Sequence, residues 1–263
     1  MNPYKTIKLD ISERTGRLTL NRPDVRNAFN DQMIGELKEA IARAAEHKDL
    51  VALILSGSGP VFSGGADLNW MKSSLNNTFE ENLTESSNLQ ELFSQLYHLP
   101  VPTIAMIHGA CIGGANGLAA ACDIVLAEEQ TRFRFSEVKV GLIPATIAPY
   151  IMERMGTQAA KYYMLTGKTF LGEEALRNGL VNATGNQEKL DTELDILLKE
   201  LPRNSPQAMR ATKKLIHQIS ITSDPQKIRQ ETVNAIAEAR VSSDGQEGMQ
   251  AFLDKRKPRW VTD

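Results

Sequence analysis

Residues 108–118 read HGACIGGANGL, with four glycines between positions 109 and 117 and no carboxylate or second histidine. The apolar run Pro102–Ile107 precedes them and the small residues LAAAC follow. A glycine-rich junction between a strand and a helix leaves backbone N–H groups without an intrahelical acceptor, and the aligned peptide dipoles add positive potential. A second junction of this kind, SGSGPVFSGGADL at Ser56–Leu68, follows the apolar run Leu50–Leu55. Two such turns brought together make a pair of donors for a developing oxygen anion. Glycines also serve simply as tight turns or close-packing points, and spacing does not choose between the two uses.

Outward from these junctions the chain alternates. Gly16–Leu20, Leu50–Leu55 and Pro102–Ile107 read as strands closed by Gly or Pro. Asn30–His47 reads as an amphipathic helix with Met33, Ile34, Leu37, Ala40, Ile41 and Ala44 on one face and Asn30 or Asp31 as its cap. A second helix is expected over Glu85–Tyr97 through Leu89, Leu92, Phe93 and Leu96, and Trp70–Thr84 reads as a mobile loop over a site. From Gly156 onward the pattern is helical: Gln158–Thr166, Gly172–Asn178, Leu190–Leu201, Pro206–Ile219, Pro225–Arg240 and Ser243–Lys255. Alternation argues for crossovers and parallel pairing, so the fold class is α/β with a helical C-terminal part.

Composition narrows the functions. A formal charge of -2 gives no footprint for nucleic acid or an anionic membrane, and the apolar region 101–127 is broken by His108, Asn116, Asp123 and four glycines, a poor membrane span. Cys111 and Cys122 sit in apolar small-residue sequence and read as buried thiols of a reducing compartment. With no secretory pattern in MNPYKTIKLD, the expected location is cytoplasmic. Neither glycine stretch has G-x-G-x-x-G spacing, and there is no phosphate-loop motif or G-x-S-x-G elbow. His47, His98, His108 and His217 lack metal-ligand spacing, so no metal site is expected.

At these residues the sequence resembles the crotonase family of enoyl-CoA hydratases and isomerases. The likeness is carried by LTLNRPDVRNAFN, FSGGADL, IHGACIGGANGLAAACDIVLA, FSEVKVGLIPATIAPYI, LTGKTFLGEEALRNGLV and EGMQAFLDKRKPRW. Among its members, SEVKVGLIPA followed by PY, with the closing FLDKRKPRW, is most similar to methylglutaconyl-CoA hydratases, which places the chain in leucine degradation or fatty acid metabolism. The resemblance implies a spiral of β-β-α units over residues 1–200 and a helical assembly region over 201–263. It also implies a homotrimer or dimer of trimers, an acyl-CoA thioester and water as partners, and no separate cofactor. Carried over by position, Gly64 and Gly114 would be the oxyanion donors. Arg26, Ala28, Ser63, Gly65, Ala66, Asp67 and Leu68 would line the CoA chain.

The family's hydratases use two glutamates. Glu137 matches the second, whereas the first would fall on Gly117, which has no side chain. Hydration delivers OH to Cβ and H to Cα, a task two carboxylates divide conveniently, while a double-bond shift moves one proton and needs a single base. One glutamate can also hold a water, take its proton and pass it to Cα on the same face. Without the resemblance Glu137 reads as a solvated strand-end carboxylate beside Arg132, Arg134 and Lys139. Asp67 and Asp123 read as caps or structural pairs, Asn116 as a residue able to orient water, and Arg132 or Arg134 as partners for a second substrate carboxylate or as surface charges. Three functions follow as expectations: a hydratase/dehydratase, a Δ3,Δ2-enoyl-CoA isomerase, and a non-catalytic acyl-CoA binder.

Overall fold

The computed structural model describes residues 3–261. Its strands are β1 (Ile7–Ser12), β2 (Thr15–Leu20), β3 (Ala52–Gly57), β4 (Thr103–Ile107), β5 (Ala110–Ile112), β6 (Ile124–Glu128), β7 (Arg132–Arg134) and β8 (Ala183–Gly185). Its helices are α1 (Asp31–Glu46), α2 (Leu68–Ser73), α3 (Phe79–Tyr97), α4 (Ala115–Ala121), α5 (Ala148–Thr166) and α6 (Gly172–Arg177). They continue with α7 (Gln187–Glu200), α8 (Pro206–Ser220), α9 (Pro225–Val241) and α10 (Ser243–Leu253). The chain forms two compact units. One runs to Leu99 and resumes over Thr103–Thr192, and the other takes Pro100–Pro102 and the chain from Glu193.

In the first unit six strands form one sheet in the order β1-β2-β3-β4-β6-β8, antiparallel at the first pair and parallel at every other. Beside it runs a second, smaller layer: β5 pairs with β7 in parallel, and isolated bridges join Phe29 to Ala66, Ser63 to Cys111 and Phe133 to Phe170. Each turn of chain therefore lays a strand in the large sheet, a short extended segment in the small layer, and then a helix. The sequence β4, β5, α4 is one such turn. The inner strands β3, β4 and β6 are buried on both faces, with Leu53, Ile54, Leu55, Ile104 and Val125 all in the core, while β1 and β2 alternate buried and exposed positions. Continuous apolar runs are what a covered parallel sheet demands.

Helix α1 follows from its pattern. All six predicted apolar positions are buried, and Asn30 caps the helix by accepting from Met33 N–H. Each such Leu, Ile or Met side chain stabilises the fold by about 1.5–3 kcal/mol on burial. Strand β1 escaped the sequence reading because its hairpin turn uses Glu13 and Arg14, both at positive φ, in place of an Asn-Gly or Asp-Gly signal. Strands β5, β7 and β8 have three residues each, too few to show a period, and β6 follows the apolar stretch of α4 with no Gly or Pro between them to mark its start.

The expected loop at Trp70–Thr84 is helical instead. Asp67 caps α2 by accepting from Asn69 N–H, a 3-10 turn spans Ser74–Asn76, and α3 starts at Phe79, six residues before the predicted Glu85. Thr78 and Glu81 form a reciprocal capping box that fixes this start. Leu75, Phe79 and Leu83 are exposed, so the first turns of α3 carry no buried stripe for a periodicity reading to find.

Helix α5 is likewise longer than the predicted Gln158–Thr166 and is interrupted at Gly156, where φ is +70°. Its Arg154 grips the far end of α4: the guanidinium donates to the carbonyls of Ala120, Cys122 and Asp123, the last two at 2.9 Å. In the second unit α8, α9 and α10 pack together. Ser205 caps α8 and donates to Asp244, which also receives Arg259 at 2.8 Å. Among the described residues no helix is long and apolar enough to cross a membrane.

Candidate active site

The turn Pro23–Phe29 serves as a template for the loop after β3. Phe29 N–H donates to Gly65 O and Phe29 O accepts from Asp67 N–H, the two bonds of a parallel bridge centred on Ala66. Such a bridge points the central residue's own N–H away from the partner strand. Ala66 is exposed, and its amide finds no acceptor among the described residues. Gly64 is different. Its N–H donates to Arg26 O at 2.8 Å, so the donor expected at Gly64 is already committed within the fold. The amide left without an acceptor in this loop lies two residues along, at Ala66. Spacing alone could not place it, because only the bridge register decides which amide in FSGGADL turns outward.

The opening glycine stretch lies against this loop. Ser63 N–H donates to Ala110 O and Ile112 N–H to Ser63 O. A Cβ on Gly65, which has φ +94°, would come within 2.9 Å of Ile112 O, so only glycine permits this approach. Gly114 stands at the N-cap of α4 with φ -55°, partly exposed, and no acceptor is found for its N–H among the described residues. The Phe29 ring lies 3.6 Å from the point where a Gly114 Cβ would sit, while the Phe29 backbone brackets Ala66. Ala66 and Gly114, the two residues whose amides have no acceptor among the described residues, thus both lie beside Phe29.

Glu137 opens a 3-10 turn, Glu137–Val140, directly after β7. Its Oε1 lies 3.4 Å from the Cβ position of Gly113, and its Oε2 is buried without a hydrogen-bond partner among the described residues. Burial pushes this carboxyl above the ordinary glutamate value of 4.5, against the opposing pull of the Glu137 and Ser136 amides. A carboxyl held in that direction suits proton transfer near neutrality. If the ionised form is the base, kcat/KM falls as pH drops through this raised pKa. The acid limb of the pH profile is accordingly expected above 4.5, and a limb at or below 4.5 would remove Glu137 from the reaction.

The position of the first family glutamate is neither open nor polar. A Cβ on Gly117 would meet Ile147 Cγ2 at 2.5 Å and Phe93 Cζ at 2.7 Å, and both side chains are buried. Asn116 does not face an open space there: its Nδ2 donates to Gly113 O at 2.9 Å and Arg134 O at 3.0 Å. The sequence carried no sign of Phe93 or Ile147 in this role, since each sits in an unremarkable apolar run.

Of the residues expected along a CoA chain, Arg26 and Leu68 are exposed while Ala28, Ser63 and Gly65 are buried. Ala28 O accepts from Arg22 Nη1 at 2.7 Å, and Ser63 Oγ donates to Asn27 O. Asp67 caps α2 and pairs with Arg22 at 2.8 Å. Burial alone would raise its carboxyl, but the Asn69 amide and the Arg22 guanidinium outweigh that and hold it below the usual range. Asp123 ties β4 to β6 by accepting from Thr103 N–H and Oγ1. Arg134 donates to Gly167 O through Nε, and Arg132 is exposed.

The family model described as Enoyl-CoA hydratase/isomerase matches residues 10–263. The zebrafish (Danio rerio) enoyl-CoA hydratase domain-containing protein 3, mitochondrial, is 33% identical over 96% of this chain and 87% of its own. The trans-2-decenoyl-[acyl-carrier-protein] isomerase of Streptococcus mutans is 30% identical over 98% of both chains. Among solved structures, an enoyl-CoA hydratase from Shewanella pealeana matches with a TM-score of 0.95 at 37% identity, covering 98% of this chain and 97% of that one.

Proposed function

The chain belongs to the enoyl-CoA hydratase/isomerase family, and from that premise we propose that it adds water reversibly across the α,β double bond of an acyl-CoA thioester. The observation that carries this reading is the half-buried carboxyl of Glu137, whose buried Oε2 has no hydrogen-bond partner among the described residues, beside a turn whose Gly114 amide also has no acceptor among them. Ionised Glu137 takes a proton from water as the water oxygen bonds to Cβ. The π electrons shift to the thioester oxygen, where the Ala66 and Gly114 amides hold the negative charge. Glu137 then returns the proton to Cα on the same face, and the enzyme is restored with one water consumed.

The acyl group we favour is methylglutaconyl or a related branched enoyl group, on the sequence likeness, with Arg132 or Arg134 near Glu137 in the chain for a second carboxylate. CoA would run along Ser63–Leu68 with Arg26 at its nucleotide end. Exposed Met249, Phe252 and Leu253 on α10 support assembly through the C-terminal region into trimers or dimers of trimers.

A second reading rests on the apolar filling at Gly117. With Phe93 and Ile147 in the place of a second carboxylate, a single base shuttling one proton from C2 to C4 would make the protein a Δ3,Δ2-enoyl-CoA isomerase. Crotonyl-, methylglutaconyl- and 3-enoyl-CoA separate the two: hydration removes the conjugated thioester absorbance and isomerisation creates it. Gain alone would sink the hydratase reading. Gly117→Glu adds a check on the filling itself. It is expected to lower the thermal midpoint without raising turnover, because its carboxylate must enter apolar, occupied space. A stable variant with faster hydration would contradict it.

A further inference from the structure

Two fully buried asparagines, Asn27 and Asn116, lie one behind each outward amide. Asn27 adopts φ +52°, a left-handed conformation that asparagine tolerates better than most residues. Its Nδ2 reaches the carbonyls of Ser58, Val61 and Phe62 at 2.8, 2.9 and 3.1 Å, and its Oδ1 accepts from Arg22 N–H at 2.8 Å. Its own carbonyl receives Ser63 Oγ. One side chain thus ties the 22–29 turn to three successive parts of the loop that ends in Ala66. Asn116 acts alike on the other turn. Gly113 O accepts both its backbone N–H and its Nδ2, and Arg134 O accepts Nδ2 as well as Gly113 N–H. The first turn of α4 is thereby fixed to β7, three residues before Glu137.

Resting on the oxyanion reading above, we propose that Asn27 and Asn116 are positioning residues that aim the Ala66 and Gly114 amides at the thioester oxygen. Neither touches substrate; each sets where one donor points. Backbone donors have no rotamers of their own, so their aim depends entirely on what the loop is tied to. A displacement of about 1 Å in such a site costs on the order of 100-fold in rate.

A chromophoric conjugated thioester, 4-dimethylaminocinnamoyl-CoA, provides the test, because polarisation of its carbonyl by the two donors shifts its absorbance to longer wavelength on binding. Asn27→Asp and Asn116→Asp keep size and shape while removing the Nδ2 donors. Each is expected to lose most of the red shift and at least about 10-fold in kcat, with KM changed far less. Where an aspartate variant fails to fold, Asn27→Gly, which suits the φ, and Asn116→Ser give the same readout. Folded variants that keep the full shift sink this inference and leave the oxyanion pair standing. Wild-type protein that binds the probe without any shift sinks the pair, and this inference with it.

Discussion

Glu137→Gln is expected to lose about 100-fold or more of kcat on the best thioester, the usual size of a general acid/base contribution, while CoA-thioester binding persists. Glutamine keeps the shape and surrenders the proton chemistry. The fold should gain rather than lose. Because the folded-state pKa is raised by burial, folded protein holds more protons than unfolded protein between the two pKa values. Stability therefore falls as pH rises through that window, and the deficit persists above it. Removing the carboxylate lifts the deficit, so the thermal midpoint of Glu137→Gln at neutral pH should equal or exceed that of wild type. Turnover above a tenth of wild type would take Glu137 out of the mechanism; a lower midpoint would show that its carboxylate stabilises the fold.

Gly114→Pro is expected to cost roughly 100- to 1,000-fold in kcat, about 3–4 kcal/mol of barrier for one lost oxyanion donor. The substitution is a clean one. Gly114 already has φ -55°, close to the proline value, and its N–H has no acceptor among the described residues, so proline removes no hydrogen bond seen there. Gly114→Ala is the matched control. Its Cβ would rest in ordinary contact with Phe29 at 3.6 Å, and it keeps the N–H, so it should retain most activity. Equal losses in both variants would point to crowding rather than to the donor. Gly64→Pro, by contrast, breaks the bond to Arg26 O, so its failure would report on folding.

Much of this was legible in the sequence because it rests on periodicity and glycine. The core face of α1, three strands of the large sheet and the two glycine junctions follow from short-range pattern, whereas the contact between those junctions comes from the Ser63–Cys111 bridge, which no local pattern carries. Glu137 came from the family likeness, since its neighbours Arg134 and Lys139 suggested a solvated charge. The Ala66 donor was hidden because it depends on bridge register between Phe29 and a loop more than thirty residues away. Phe93 and Ile147 were hidden for a related reason: they come from a distant helix and a loop, and only packing brings them to Gly117. Helix α3 was misjudged at its start because a polar capping box, and not an apolar stripe, sets it.

That both groups proposed to hold the anion are main-chain amides has a consequence for how such a protein can diverge. Every amino acid except proline carries the same N–H, so point mutation at Ala66 or Gly114 leaves the donor in place so long as the backbone keeps its path. On the proposed mechanism the groups open to replacement are side chains: Glu137, and Phe93 and Ile147, which fill the space at Gly117. A descendant can exchange one reaction for another by changing those side chains, while its capacity to stabilise an enolate is inherited intact.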